Sequence, residues 1–115
     1  MTAIDQASHL SSADRRLLAN VKHVIQGFLP TATILLYGSV ARGTQTPESD
    51  YDLLILTGQP IDWREEERID GAVYDVQLDQ GIVFSTILYC LSDWEHGPLR
   101  ASPLRKSIER EGIIL

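Results

Sequence analysis

Two short apolar runs, Ile34-Leu35-Leu36-Tyr37 and Leu53-Leu54-Ile55-Leu56, constrain this chain more than any other feature. A polar segment joins them. It opens on Gly38-Ser39 and closes on Asp50-Tyr51-Asp52. Runs this short, bounded by turn residues, suit strands. Their unbroken hydrophobicity suits a sheet covered by helices. Gly38 has no Cβ, so the backbone there can turn sharply and come close to a ligand. A helical turn opening over Ser39-Val40-Ala41-Arg42 would aim free N–H groups at an anion, above all a phosphate. The Ser39 hydroxyl adds a donor, and Arg42 adds a cation. Asp50 and Asp52, two residues apart, project from one face of a strand. Two such carboxylates repel unless a cation lies between them. Mg²⁺ takes hard oxygen ligands and is commonly shared between carboxylates and nucleotide phosphates. Gly-Ser after a strand, or Asp-x-Asp before one, is by itself an ordinary turn. In this order, between two apolar runs, they predict a nucleotide triphosphate–Mg²⁺ site.

The flanking sequence supplies the helices. Ser11 or Ser12 caps a helix with Asp14 in its first turn. Leu17, Leu18, Val21, Val24, Ile25 and Phe28 form its apolar stripe, and Pro30 stops it. A second helix spans Asp62 to Gln80. Asp62 is its N-cap with Glu65 as a capping-box partner, and Gly81 is its C′ residue. Its Ile69, Val73 and Val76 face inward, whereas Glu65, Glu66, Glu67 and Asp70 read as a solvated face. A third strand spans Ile82 to Cys90. Ser92 caps a short turn holding Trp94, and Leu99 to Arg110 is a last helix or pair of turns interrupted near Pro103. Ile113-Ile114-Leu115 packs on the domain or on a partner. Residues 1–11 read as a loose lead-in. The expected fold is α/β of the α+β kind: a short mixed sheet of three or more strands flanked by helices, as one domain over residues 1–115.

Composition narrows the function classes. At 43% hydrophobic, the chain can build one core. Its net charge of −6 argues against direct nucleic-acid binding. An acidic protein suits a basic partner, or a ligand whose charge a metal balances. No apolar run approaches the ~20 residues needed to span a bilayer, and the first residues lack a basic-then-apolar pattern, so the expectation is a cytoplasmic protein. Cys90 is the single cysteine and reads as a structural thiol. His9, His23 and His96 show no ligand spacing.

Gly38-Ser39, ten intervening residues and Asp50-x-Asp52 resemble the signature of the nucleotidyltransferase superfamily related to polymerase beta. Ala41-Arg42-Gly43-Thr44 and Ser49-Asp50-x-Asp52-Leu53 resemble its small members, the minimal nucleotidyltransferases. The tail from Ser102-Pro103-Leu104 to Ile108-Glu109-Arg110-Glu111-Gly112 is similar to antitoxin members found beside a HEPN-domain toxin. The resemblance implies a small nucleotidyltransferase fold. It also implies Asp50 and Asp52 as catalytic residues holding Mg²⁺, with Gly38, Ser39 and Arg42 binding ATP. The implied activity is transfer of AMP from ATP to a tyrosine of a HEPN ribonuclease toxin. Family enzymes usually carry a third carboxylate on the strand after the intervening helix. Alignment places Ser85 there, unless the helix ends early and a strand over Tyr74 to Leu78 presents Asp75 instead. A binding antitoxin that acts by docking is therefore the alternative. A transferase acting on a small molecule is a third reading, for which 115 residues leave no acceptor domain.

Overall fold

The two apolar runs pair with each other, and every other element is placed by that pairing. In the computed structural model, which describes Met1–Leu115, the order is β1 (Thr2–Ala3), a 3₁₀ turn (Ile4–Gln6), α1 (Ser12–Phe28), β2 (Thr33–Tyr37), α2 (Gly38–Arg42), β3 (Tyr51–Thr57), α3 (Trp63–Gln80), β4 (Phe84–Cys90), α4 (Leu91–His96), a 3₁₀ turn (Pro98–Ala101), α5 (Pro103–Glu111) and β5 (Ile113–Ile114). The five strands form one mixed sheet in the order β1-β5-β2-β3-β4. β2 runs antiparallel to β3 and to β5, while β3–β4 and β1–β5 are parallel. The parallel β3–β4 pair needs a long connection, and α3 is that crossover.

Side-chain alternation sorts the sheet into two faces. Ile34 and Leu36 of β2, Leu53 and Ile55 of β3, and Phe84 of β4 join Leu18, Val21 and Ile25 of α1 and Ile69, Val73 and Val76 of α3 in the larger core. The opposite face carries a smaller cluster of Leu35, Leu54, Leu56, Trp94 and Ile108, contributed by the sheet, α4 and α5. Each central strand is thus covered on both sides, which accounts for its lack of polar–apolar alternation.

Helix boundaries follow their caps. Ser11 Oγ accepts from the Asp14 N–H at 3.0 Å, and Asp14 Oδ2 accepts from the Ser11 N–H at 3.2 Å, a complete capping box. Asp62 Oδ1 accepts from the Glu65 N–H at 2.8 Å, and no return bond from Glu65 completes a box there. Gly81 closes α3 in the left-handed conformation, φ +68°.

Several expectations are corrected. The opening residues are not a loose lead-in. The Thr2 N–H donates to Gly112 O at 2.9 Å, and Ala7 and Leu10 are buried in the larger core. The Arg15 guanidinium donates to the carbonyls of Ile4, at 2.9 Å, and Ala7. The apolar end packs on the domain, as expected, and does so as a strand: Ile113 and Ile114 pair with Leu36 and Leu35, and the Leu115 N–H reaches Ile34 O at 2.9 Å. β4 begins at Phe84 rather than Ile82, because the Ile82 N–H still closes α3 on Gln77 O at 3.3 Å. Ser92 caps nothing, since β4 runs directly into α4 with Cys90 as N-cap. The expected break near Pro103 is present: the 3₁₀ turn ends at Ala101, Ser102 caps α5, and Pro103 is its first residue.

Leu54 is fully buried between β2 and β4 on the side of the smaller cluster. Leu54→Ala is expected to lower unfolding free energy by roughly 2–5 kcal/mol, the range for emptying such a site. Urea denaturation followed by circular dichroism measures it.

Candidate active site

The β2–β3 register brings the Gly-Ser turn onto the acidic pair. Tyr37 is paired with Asp52 across the antiparallel ladder, so Gly38 begins α2 directly beside Asp52. Gly38 has φ +79°, and a Cβ built there would stand 3.1 Å from Asp52 Cγ and nearer still to Oδ2. Only glycine tolerates both the backbone conformation and the approach. Ser39 follows in the first turn of α2, partly buried, with Val40 and Ala41 packed beneath it.

On the other flank of Asp52, the parallel β3–β4 register pairs it with Ser85. Ser85 therefore holds the position that the resemblance assigns to the third carboxylate. Asp75 does not compete for it. α3 continues unbroken to Gln80, Asp75 is exposed on it, and the helix covers the opposite face of the sheet. No group of three or more His, Cys, Asp or Glu side chains gathers anywhere to hold a metal.

The electrostatics are those of an uncompensated acidic pair. Burial pushes the Asp52 carboxyl above its ordinary range, and the neighbouring Asp50 charge adds to the rise. Arg42 partly opposes it. Burial also raises the Tyr37 phenol, with smaller contributions from Asp52 and Tyr89. Two carboxylates with a hydroxyl beside them fit a hard dication of the Mg²⁺ type, which usually keeps several waters and takes phosphate oxygens to complete its shell. A metal that demands a full set of protein ligands does not fit.

Several contacts were invisible in the sequence. Glu111, at the end of α5, accepts from the Gly38 N–H at 3.3 Å and pairs with Arg42 at 3.0 Å. A carboxylate thus already engages two of the groups read as phosphate donors. Asp14, besides capping α1, accepts from the Tyr51 hydroxyl at 2.7 Å. Burial and this bond push the Tyr51 phenol up to about 12. Tyr51 also packs edge-on against Phe84, so the residue between the two acids is anchored on the face away from Asp52. Tyr37 lies beside Asp52 with no signal beyond being a polar end to an apolar run. Glu111 stands in the tail motif, 69 residues from Arg42, where no local spacing could link them.

The sequence profile described as the nucleotidyltransferase domain matches residues 18–115. The chain belongs to the nucleotidyltransferase domain family. Similar proteins include a "Probable protein adenylyltransferase MntA" of Haemophilus influenzae (strain ATCC 51907 / DSM 11121 / KW20 / Rd), 33% identical over 61 residues. That match spans 53% of this chain and about half, 54%, of the relative. The fold is also that of a solved structure described as "Crystal structure of the toxin-antitoxin with AMP-PNP". It superposes with a TM-score of 0.58 at 17% identity, over 84% of this chain and 69% of that one. The structural likeness agrees with the expected short mixed sheet of three or more strands flanked by helices, which here has five.

The raised Asp52 carboxyl sets a pH dependence of the protein's stability. A carboxyl whose folded pKa lies above its unfolded value contributes stability at low pH, and that contribution is lost as pH rises through the folded value. Asp50→Asn removes part of the cause. It is expected to raise the thermal midpoint of the metal-free protein at neutral pH, with the gain vanishing as pH falls below the carboxylate range. Differential scanning calorimetry from pH 3 to 8 in chelator reads this, and an equal gain at every pH would refute the coupling.

Proposed function

We propose that the protein is a Mg²⁺-dependent adenylyltransferase that modifies a HEPN-type ribonuclease toxin and thereby acts as its antitoxin. One observation carries the reading: Gly38 lies so close to the Asp52 carboxylate that no larger residue fits. The phosphate-binding turn and the acidic pair therefore act as one site. The name of the H. influenzae relative, a probable protein adenylyltransferase, supports the reaction class. The AMP-PNP named with the toxin–antitoxin structure supports an adenine nucleotide. The tail resemblance supports a HEPN-type partner, and the charge of −6 suits a basic, RNA-cleaving one.

In this reading Asp50 and Asp52 hold Mg²⁺, which when bound neutralises charge on the triphosphate and polarises its phosphorus. The Gly38 turn and the Ser39 hydroxyl cradle the phosphates, and Arg42 turns from Glu111 toward them. An acceptor hydroxyl oxygen bonds to the α-phosphorus of ATP while the bond to the β-phosphate oxygen breaks. The products are the adenylylated acceptor and pyrophosphate. With serine at position 85 no carboxylate takes the acceptor's proton, which passes to solvent at the open face. Positioning and charge neutralisation remain, and the base is missing. Slow transfer is the consequence, and it suits a protein that modifies one long-lived target. Ser85 also favours a second reading, an antitoxin that acts by stoichiometric docking.

Intact mass spectrometry separates the two. With Mg-ATP and the candidate HEPN partner, the partner is expected to gain one or more AMP units. The Asp50→Asn/Asp52→Asn double variant should give none and should lose Mg-ATP binding by titration calorimetry, with its circular dichroism unchanged. A stable complex without mass gain would establish docking instead. Ser85→Asp restores a base and is expected to speed transfer by about 10²–10⁴-fold. Ser85→Ala is expected to leave it nearly unchanged.

A further inference from the structure

The sheet ends very differently at its two edges. β1 is a two-residue edge strand, too short to recruit another chain. β4, the other edge, is seven residues long, Phe84-Ser-Thr-Ile-Leu-Tyr-Cys, and carries no charge and no proline. Proteins usually blunt such an edge with charge, proline, a bulge or a cover. Here the parallel register directs the N–H groups of Ser85 and Ile87 toward β3, so those of Phe84, Thr86 and Leu88 point outward. The Phe84 N–H is satisfied by Gln77 Oε1 at 2.8 Å. The outward N–H groups of Thr86 and Leu88 have no partner in the chain.

Beside this edge runs a groove of about 460 Å³ between β4 and α3. Thr86 and Leu88 line its sheet side, and Val73 and Tyr74 its helix side, with Glu66 and Asp70 along the wall. Neither acid takes part in any ion pair of the chain. Packing raises the Asp70 carboxyl above its ordinary range. Tyr74 and the next apolar residue of the same helix stripe, Leu78, are both more than half exposed. The groove combines free backbone donors and acceptors, an apolar floor and two uncompensated negative charges.

We propose that this groove docks an extended, basic segment of a partner protein, which adds to the sheet as a further strand on β4. Main-chain bonds to Thr86 and Leu88 would supply affinity, and alternate side chains would supply specificity. Those entering the groove would set apolar groups on Val73 and Tyr74 and Lys or Arg on Glu66 and Asp70. Side chains on the other face would stand beside Ser85, which is itself next to Asp52. A second copy of this chain fits worse, because edge-to-edge pairing would bring a duplicate set of the same acids to the first. The inference does not depend on nucleotide transfer, since docking is expected with or without Mg-ATP.

The probe is a capped peptide of alternating lysine and valine, about eight residues long to match β4. Hydrogen exchange by NMR is expected to show the Thr86 and Leu88 amides newly protected at millimolar peptide. The glutamate–valine counterpart should protect neither, and a lysine–valine peptide N-methylated on alternate residues should bind weakly. Glu66→Lys with Asp70→Lys, both at exposed helix positions, is expected to weaken binding about tenfold or more, a loss of about 1.4 kcal/mol. The Asp50→Asn/Asp52→Asn variant should bind the peptide normally, which separates this proposal from the reading of the site. Unprotected amides at Thr86 and Leu88, undiminished binding in the charge-reversed variant, or equal binding of the glutamate peptide would overturn it. So would sedimentation showing the protein alone dimeric with both amides already protected.

Discussion

The approach of Gly38 to the Asp52 carboxylate is the constraint on which the rest of the structure depends. Two strands must pair in one register for it to occur, because a slip of one residue would turn Asp52 to the buried face. The register is held by burial on both sides. Leu36 and Leu53 lock one face against α1 and α3, and Leu35 and Leu54 lock the other against α4 and α5. The apolar runs therefore do more than build a core. They bring a glycine, whose missing Cβ permits φ +79°, against a carboxylate whose partial burial carries a cost.

Charge is the second organising influence. The site gathers Asp50 and Asp52 with Arg42 nearby, and α5 contributes Glu111, which binds both Arg42 and the Gly38 amide. Glu111 satisfies both the Gly38 amide and the Arg42 guanidinium, the donors assigned to phosphate in the proposed reading. It also ties the last helix to the first functional turn. The last strand is tied the same way, since β5 pairs with β2 directly behind that turn. The C-terminal segment thus supports the site from outside it, and its sequence motif has a structural cause in the Gly38 turn.

What could be read from the sequence divides along the range of the interactions. The motif between Ile34 and Leu56, the stripe of α1, the Asp62 cap and the Gly81 stop all depend on neighbours within a few residues, and their signals are correspondingly plain. Pro30 ends α1 for the same local reason. Some misreadings are local, at Glu65, Ile82 and Ser92, and the larger ones involve partners far along the chain. Residues 1–11 looked unstructured because nothing near them says that Thr2 will pair with Ile113, or that Arg15 will hold the carbonyls of Ile4 and Ala7. The bond from Tyr51 to Asp14 and that from Gly38 to Glu111 are equally long-range. Ser85 falls between the two cases. Its strand was legible and the family resemblance assigned it the third-carboxylate position, while its pairing with Asp52 follows from the β3–β4 register.

In the proposed reading, that place explains how a site could keep its binding groups while lacking a catalytic one. The β2–β3 pairing sets Asp52 beside Gly38, with Ser39 following in α2 and Asp50 just ahead of β3. Ser85 sits on the neighbouring strand, is exposed, and accepts no bond that the fold requires. A carboxylate at position 85 would add a third negative charge to a pair already repelling, so serine relieves the metal-free protein of further strain. In that reading the cost falls on proton removal and on one carboxylate ligand of the metal. A protein with a single macromolecular target can bear that cost, because docking holds the acceptor at high effective concentration and slow chemistry still runs to completion. The uncovered β4 edge stands one strand beyond Asp52, where a docked segment would present such an acceptor.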